Sequence, residues 1–251
     1  YYAQQVEACI RQGVRIVGGC CGTTPEHIRQ IVRRAGHAAP LVSAPSEKKI
    51  QPEKPICKSK IKQKLDEGKR VILVELDPPR SADLGGFMQG ARALAQAGAD
   101  AITIADCPIG RARMDSSILA CKLSRELGIE ALPHMTCRDR NVNATKALLL
   151  GLSMEQVCNV LVVTGDPIPT EDRGSIKSVY QFNSRVLARF ITGLRENGEI
   201  EPFFVCGALN INANRFDLEL ERAKEKTECG VEAFLTQPVL SERAALNLEE
   251  A

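Results

Sequence analysis

Residues 159–167 read NVLVVTGDP, and the fold turns on this stretch. A run of β-branched and aliphatic residues with no polar alternation predicts a strand buried on both faces, and Gly-Asp-Pro predicts a tight turn at its end. The same grammar extends outward in both directions, through VILVEL at 71–76, AITIAD at 101–106, EALPHM at 130–135, FFVCGAL at 203–209 and EAFLTQ at 232–237. Between these runs lie amphipathic segments long enough for helices. The predicted strand ends fall near 75, 105, 134, 164, 208 and 237. All but one step is about 30 residues, the length of a βαβ crossover, so a parallel sheet is expected.

A parallel sheet covered on both faces is either open and doubly wound or closed into a (β/α)8 barrel, and spacing alone does not choose. A polar or small residue stands at the carboxyl end of nearly every strand: Glu75, Asp106, His134, Gly165 with Asp166, Asn210 and Gln237. In barrels those ends meet at one mouth, which favours the barrel. The expectation is therefore an α/β protein built as a (β/α)8 TIM barrel of which six β/α units are present. Its first and sixth strands would be bare edges, prone to aggregation.

Pro40, Pro45, Pro52 and Pro55, with a run of lysines and few large apolar residues, mark a solvated linker. The expected domains are 1–39, a linker at 40–64, and the barrel at 65–251. In the first segment, VRIVGGCCGTTPEHIRQIV at 14–32 reads as a short strand, a glycine turn and a helix with Thr24 as N-cap and Pro25 in its first turn, one β/α unit. The chain opens on Tyr1 rather than Met and stops in AALNLEEA, so truncation at both ends is expected.

The 33 basic and 31 acidic side chains leave a net charge of +2, too balanced for the phosphate attraction of a nucleic-acid binder. No apolar run approaches the roughly 20 residues that span a bilayer. Ten cysteines scattered through apolar and polar stretches, with no signal peptide, point to reduced thiols in a cytoplasmic protein acting on small molecules. A homo-oligomer stays open.

Glu75, at the end of an apolar strand, is expected to have a raised pKa and to donate a proton; the alternative is an ion pair with Arg80. His134 is either a cofactor or acid–base residue or a structural histidine. Gly165 and Asp166 either receive a planar ligand beside a fixed acceptor or form an ordinary turn. Lys226 is either a phosphate anchor or solvated surface. Cys20 and Cys21 are two zinc ligands or two buried thiols. No GxGxxG or P-loop pattern occurs, so a nucleotide cofactor would be held by strand-end loops.

With VELDPPR, LPHMTC, VVTGDP and FLTQP in this order, the stretch from Val71 to Gln237 resembles methylenetetrahydrofolate reductase. GGCCGTTPEHI resembles the last β/α unit of a homocysteine S-methyltransferase domain, and together they resemble a bifunctional bacterial arrangement. The resemblance implies reduction of 5,10-methylenetetrahydrofolate with FAD and NAD(P)H, and methylation of homocysteine at zinc held by Cys20, Cys21 and a third cysteine outside the chain. It implies Glu75 as general acid, Asp166 beside flavin and folate, and Gln237 on the pterin. FAD would contact His134, Thr164, Gly165, Asp166, Tyr180 and Lys226. Ala105, Thr164 and Ala208 depart from the better-known pattern and read as a subfamily trait. The rival readings are a partner-dependent or FAD-free relative and a non-catalytic fragment.

Overall fold

The computed structural model describes residues 1–12, 17–19, 22–34 and 57–251. They fall into two compact units, Tyr1–Lys54 and Pro55–Ala251. The boundary lies inside the stretch read as linker, and residues 60–64 of that stretch are helical.

In the first unit, helix α1 (Tyr2–Arg11) and helix α2 (Pro25–Arg34) pack together. The Tyr2 hydroxyl donates to the Gly18 carbonyl at 2.6 Å, and its ring meets His27 edge-on at 5.9 Å. The Thr24 backbone N–H donates to His27 Nδ1 at 3.0 Å, which ties off the start of α2. Residues 14–16 of the expected strand, and Cys20 and Cys21, lie outside the described residues.

The second unit begins with helix α3 (Lys60–Asp66) and then alternates: β1 (Leu73–Glu75), α4 (Gly85–Gln96), β2 (Ala101–Ile104), α5 (Ser116–Leu127), β3 (Glu130–Thr136), α6 (Val142–Met154), β4 (Asn159–Val163), α7 (Ser184–Glu196), β5 (Phe204–Leu209), α8 (Phe216–Glu228), β6 (Ala233–Thr236) and α9 (Glu242–Glu250). Local chemistry sets the helix starts. Asp115, Asn141, Asn183 and Ser241 each accept from backbone N–H groups of the first turn they precede, satisfying donors that have no partner inside the helix.

All neighbouring strands are parallel and lie in sequence order, β1 to β6. This corrects the expected truncated (β/α)8 barrel preceded by a unit of another barrel. The described strands form one open, curled six-stranded half-barrel, with β1 and β6 as its edges. A barrel closes only when its first and last strands share a ladder, and strand number, tilt and stagger must agree for that; β1 and β6 share none.

Alternation along each strand sorts side chains between the two faces. Ile102, Ile104, Ala131, Met135, Val160, Val162 and Val205 pack beneath the helices with Leu119, Leu123, Leu149, Leu152, Leu187 and Ile191. Each fully buried leucine or isoleucine there contributes about 1.5–3 kcal/mol. Ala101, Leu132, Leu161, Phe204 and Cys206 face the other way, where Ile61 of α3 packs against them. The amino end of α3 is fixed by the Glu130 carboxylate, which accepts from the Lys60 and Ile61 N–H groups at 2.7 and 3.2 Å. Cys57, just before α3, is bridged to Cys158, 101 residues away in sequence, a departure from the expected reduced thiols.

Candidate functional site

The two-residue period that places Leu73 and Leu132 on the inner face also carries Glu75 and His134 onto it. The two meet across the carboxyl ends of β1 and β3, with His134 Nε2 4.0 Å from Glu75 Oε2. Arg80, the alternative partner of Glu75, makes no ion pair with it. Burial pulls the His134 imidazole down to about 4, against the attraction of Asp106, so the ring is neutral near pH 7. Its Nε2 is buried and has no hydrogen-bond partner. Burial raises the Glu75 carboxyl above the usual carboxylate range, and Asp77 pushes in the same direction. Its side chain is still 58% exposed, so water screens part of that push.

The turn after β4 carries Thr164, Gly165 and Asp166. Gly165 has φ +94°, and a Cβ there would stand 3.0 Å from the Thr136 Cβ, so the position requires glycine. Gly165→Ala is expected to cost roughly 1–2 kcal/mol, read as a lower urea midpoint at unchanged m-value. Asp166 Oδ2 accepts from the Ile109 N–H at 2.9 Å, and its carbonyl accepts from Arg138 Nη1 at 2.8 Å and from the Tyr180 hydroxyl at 3.3 Å. Thr164 Oγ1 accepts from the Ser184 N–H at 3.4 Å. Gln237 follows β6 directly and is exposed. Lys226 is buried, with Nζ 2.5 Å from the Ala208 carbonyl and 3.9 Å from Glu219, and burial lowers its pKa.

The sequence reading missed the arginines that hold these loops. Arg138, 1% exposed, pairs with Asp139 at 2.7 Å and also donates to the Cys107 and Asp166 carbonyls. Arg140 bridges Asp106 at 2.7 Å and Asp115 at 2.6 Å. Asp106 further accepts from the Thr136 N–H and hydroxyl. Burial works against its charge, but Arg140 and the Thr136 donors prevail and hold the carboxyl below the usual range. The one available signal was CRDR at 137–140, two arginines flanking an aspartate just past a strand.

An open parallel sheet with titratable side chains gathered at its carboxyl ends defines the architecture of an α/β protein whose loops after the strands carry its site. The family model described as Methylenetetrahydrofolate reductase matches residues 60–245, so the chain belongs to that family. A second model, Homocysteine S-methyltransferase, matches residues 1–35. No curated protein matches the chain. Among solved structures, the chain is similar to an oxaloacetate acetylhydrolase at 15% identity and TM-score 0.55, covering 78% of this chain and 68% of that one. It is also similar to 2,3-dimethylmalate lyase, described as a PEP mutase/isocitrate lyase superfamily member, at 12% identity and TM-score 0.53, covering 75% and 64%. At these identities the likeness is one of fold.

These findings correct several expectations. The fold does not single out a bifunctional methyltransferase–reductase, because an acetylhydrolase and a lyase share it. Flavin-dependent reduction with NAD(P)H therefore gains no support from the fold, and the coarser statement of a strand-end small-molecule site replaces it. FAD does not fit the residues expected to hold it. Lys226 spends its ammonium on an internal carbonyl, and the Tyr180 hydroxyl and Thr164 Oγ1 are engaged with the chain itself. For zinc, no group of three or more His, Cys, Asp or Glu able to hold a metal occurs among the described residues, and Cys20 and Cys21 lie outside them. Among the described residues no helix is long and apolar enough to cross a membrane.

Proposed function

We propose that the carboxyl ends of the strands bind a small molecule of the folate class and that Glu75 passes it a proton. The observation that carries this reading is the pairing of Glu75, whose carboxyl is raised, with a neutral His134 whose buried Nε2 has no partner, 4.0 Å away. A carboxyl raised toward neutrality keeps a larger protonated share at working pH and delivers its proton to a basic ring nitrogen. The His134 Nε2, without a hydrogen-bond partner in the chain, is left to pair with the ligand. Asp166, exposed beside the turn of Gly165, would face positive charge developing on the protonated ligand, and the exposed amide of Gln237 would pair with its heterocycle. Membership of the family is what suggests a folate.

A cytoplasmic setting belongs with this proposal on the strength of the free thiols of Cys107, Cys121, Cys137, Cys206 and Cys229; the Cys57–Cys158 bridge of the same unit stands against it. Homocysteine, expected for residues 1–39, rests on cysteines outside the described residues and forms no part of it.

Calorimetric titration with 5-formyltetrahydrofolate tests the reading. Gln237→Ala is expected to weaken binding about tenfold, equivalent to about 1.4 kcal/mol. Glu75→Gln is expected to keep binding while removing the proton exchange seen by comparing buffers of different ionisation heat. A chain that binds no folate, or a Glu75→Gln variant with unchanged proton exchange, would sink the assignment.

A further inference from the structure

Three loops at the mouth of the sheet enclose a cavity of about 310 Å³ lined by Arg80, Pro108, Ile109, Arg111, Ala112, Arg113, Pro169 and Glu171. Three guanidinium groups face one carboxylate. Arg80 makes no ion pair within 4.0 Å, Arg113 Nη1 donates only to the Pro78 carbonyl at 3.3 Å, and Arg111 pairs with Glu171 at 2.6 Å with both side chains largely exposed. An exposed pair of that kind is weakly held and screened by water, so a competing anion displaces Glu171 readily.

The walls are braced. The Met114 N–H donates to the Pro79 carbonyl at 2.9 Å, joining the loop after β1 to the loop after β2. The Ile109 N–H donates to Asp166, joining that second loop to the turn after β4. At Gly110, φ is +67°, and a Cβ would lie 2.5 Å from the Pro167 oxygen, so the backbones are in direct apposition. Ile109 and Pro169 line both this cavity and the neighbouring groove that contains Asp166. The arginines are thus presented from fixed loops beside the proposed reaction site.

We propose that this cavity is an oxyanion subsite, in which Arg80, Arg111 and Arg113 hold an acidic tail of the ligand whose reacting end meets Glu75. The role as a tail site rests on the proposed function; the anion site itself does not. Planar guanidinium groups bind carboxylate or phosphoryl oxygens through paired N–H donors, and an excess of positive charge favours an anion over a neutral tail.

The test is titration of the full chain with glutarate and, separately, with inorganic phosphate at low ionic strength. Saturable binding of glutarate supports a carboxylate tail, and binding of phosphate alone supports a phosphoryl tail. In either case Arg80→Ala, at an exposed position, and Arg113→Ala are each expected to weaken the probe at least tenfold with unchanged thermal unfolding. Arg80→Lys is expected to recover part of the loss, and Glu75→Gln to leave probe binding unchanged. Failure of both probes to bind, or binding indifferent to both arginine variants, overturns the subsite. Probe binding without folate binding would keep the subsite and remove the folate reading.

Discussion

Asp106→Ala is expected to destabilise the second unit by roughly 3–5 kcal/mol, the usual cost of removing one partner from a buried ion pair. Asp106 is 5% exposed, and its loss leaves the Arg140 guanidinium with Asp115 as its one remaining carboxylate and the Thr136 N–H and hydroxyl without their acceptor. Urea unfolding followed by far-ultraviolet circular dichroism checks it, and a change under 1 kcal/mol would show that Asp115 by itself suffices to hold Arg140. The same pair sets an acid limit. Because the folded pKa of Asp106 is lowered, its contribution is present above the unfolded value of about 3.9. It is lost as the pH falls through the folded value.

Between pH 7 and pH 4 a second group is expected to remove stability, by up to roughly 3 kcal/mol at about 1.4 kcal/mol per pH unit. His134 in the folded chain titrates at about 4 instead of 6.5, so across this interval the unfolded chain binds the extra proton and stability rises with pH. Below the folded value both states are protonated and the slope from this group ends. His134→Gln is expected to flatten the interval in a plot of unfolding free energy against pH. An unchanged slope would place the imidazole in contact with water, and the neutral partner assigned to Glu75 would be lost with it.

The strands were legible because a strand buried on both faces leaves a run of apolar residues that survives any tertiary context. NVLVVTG at 159–165 is β4 with its glycine turn, β5 lies within the run read for it, and β3 runs one residue past its own, to Thr136. The glycine at 165 was legible for a local reason, a positive φ. Lys226 was not: its position in a charged helix read as a phosphate anchor or solvated surface, and only packing of α8 against β5 shows the ammonium on the Ala208 carbonyl.

By itself the sequence determined the order of β and α elements, their parallel sense and the residues standing at strand ends, since these depend on periodicity and crossover length. Tertiary structure alone decided that the six strands remain an open sheet, that Glu75 meets His134 rather than Arg80, and that Cys57 finds Cys158. Closure, side-chain pairing and a bridge across 101 residues depend on where distant segments lie in space, and no local pattern encodes that.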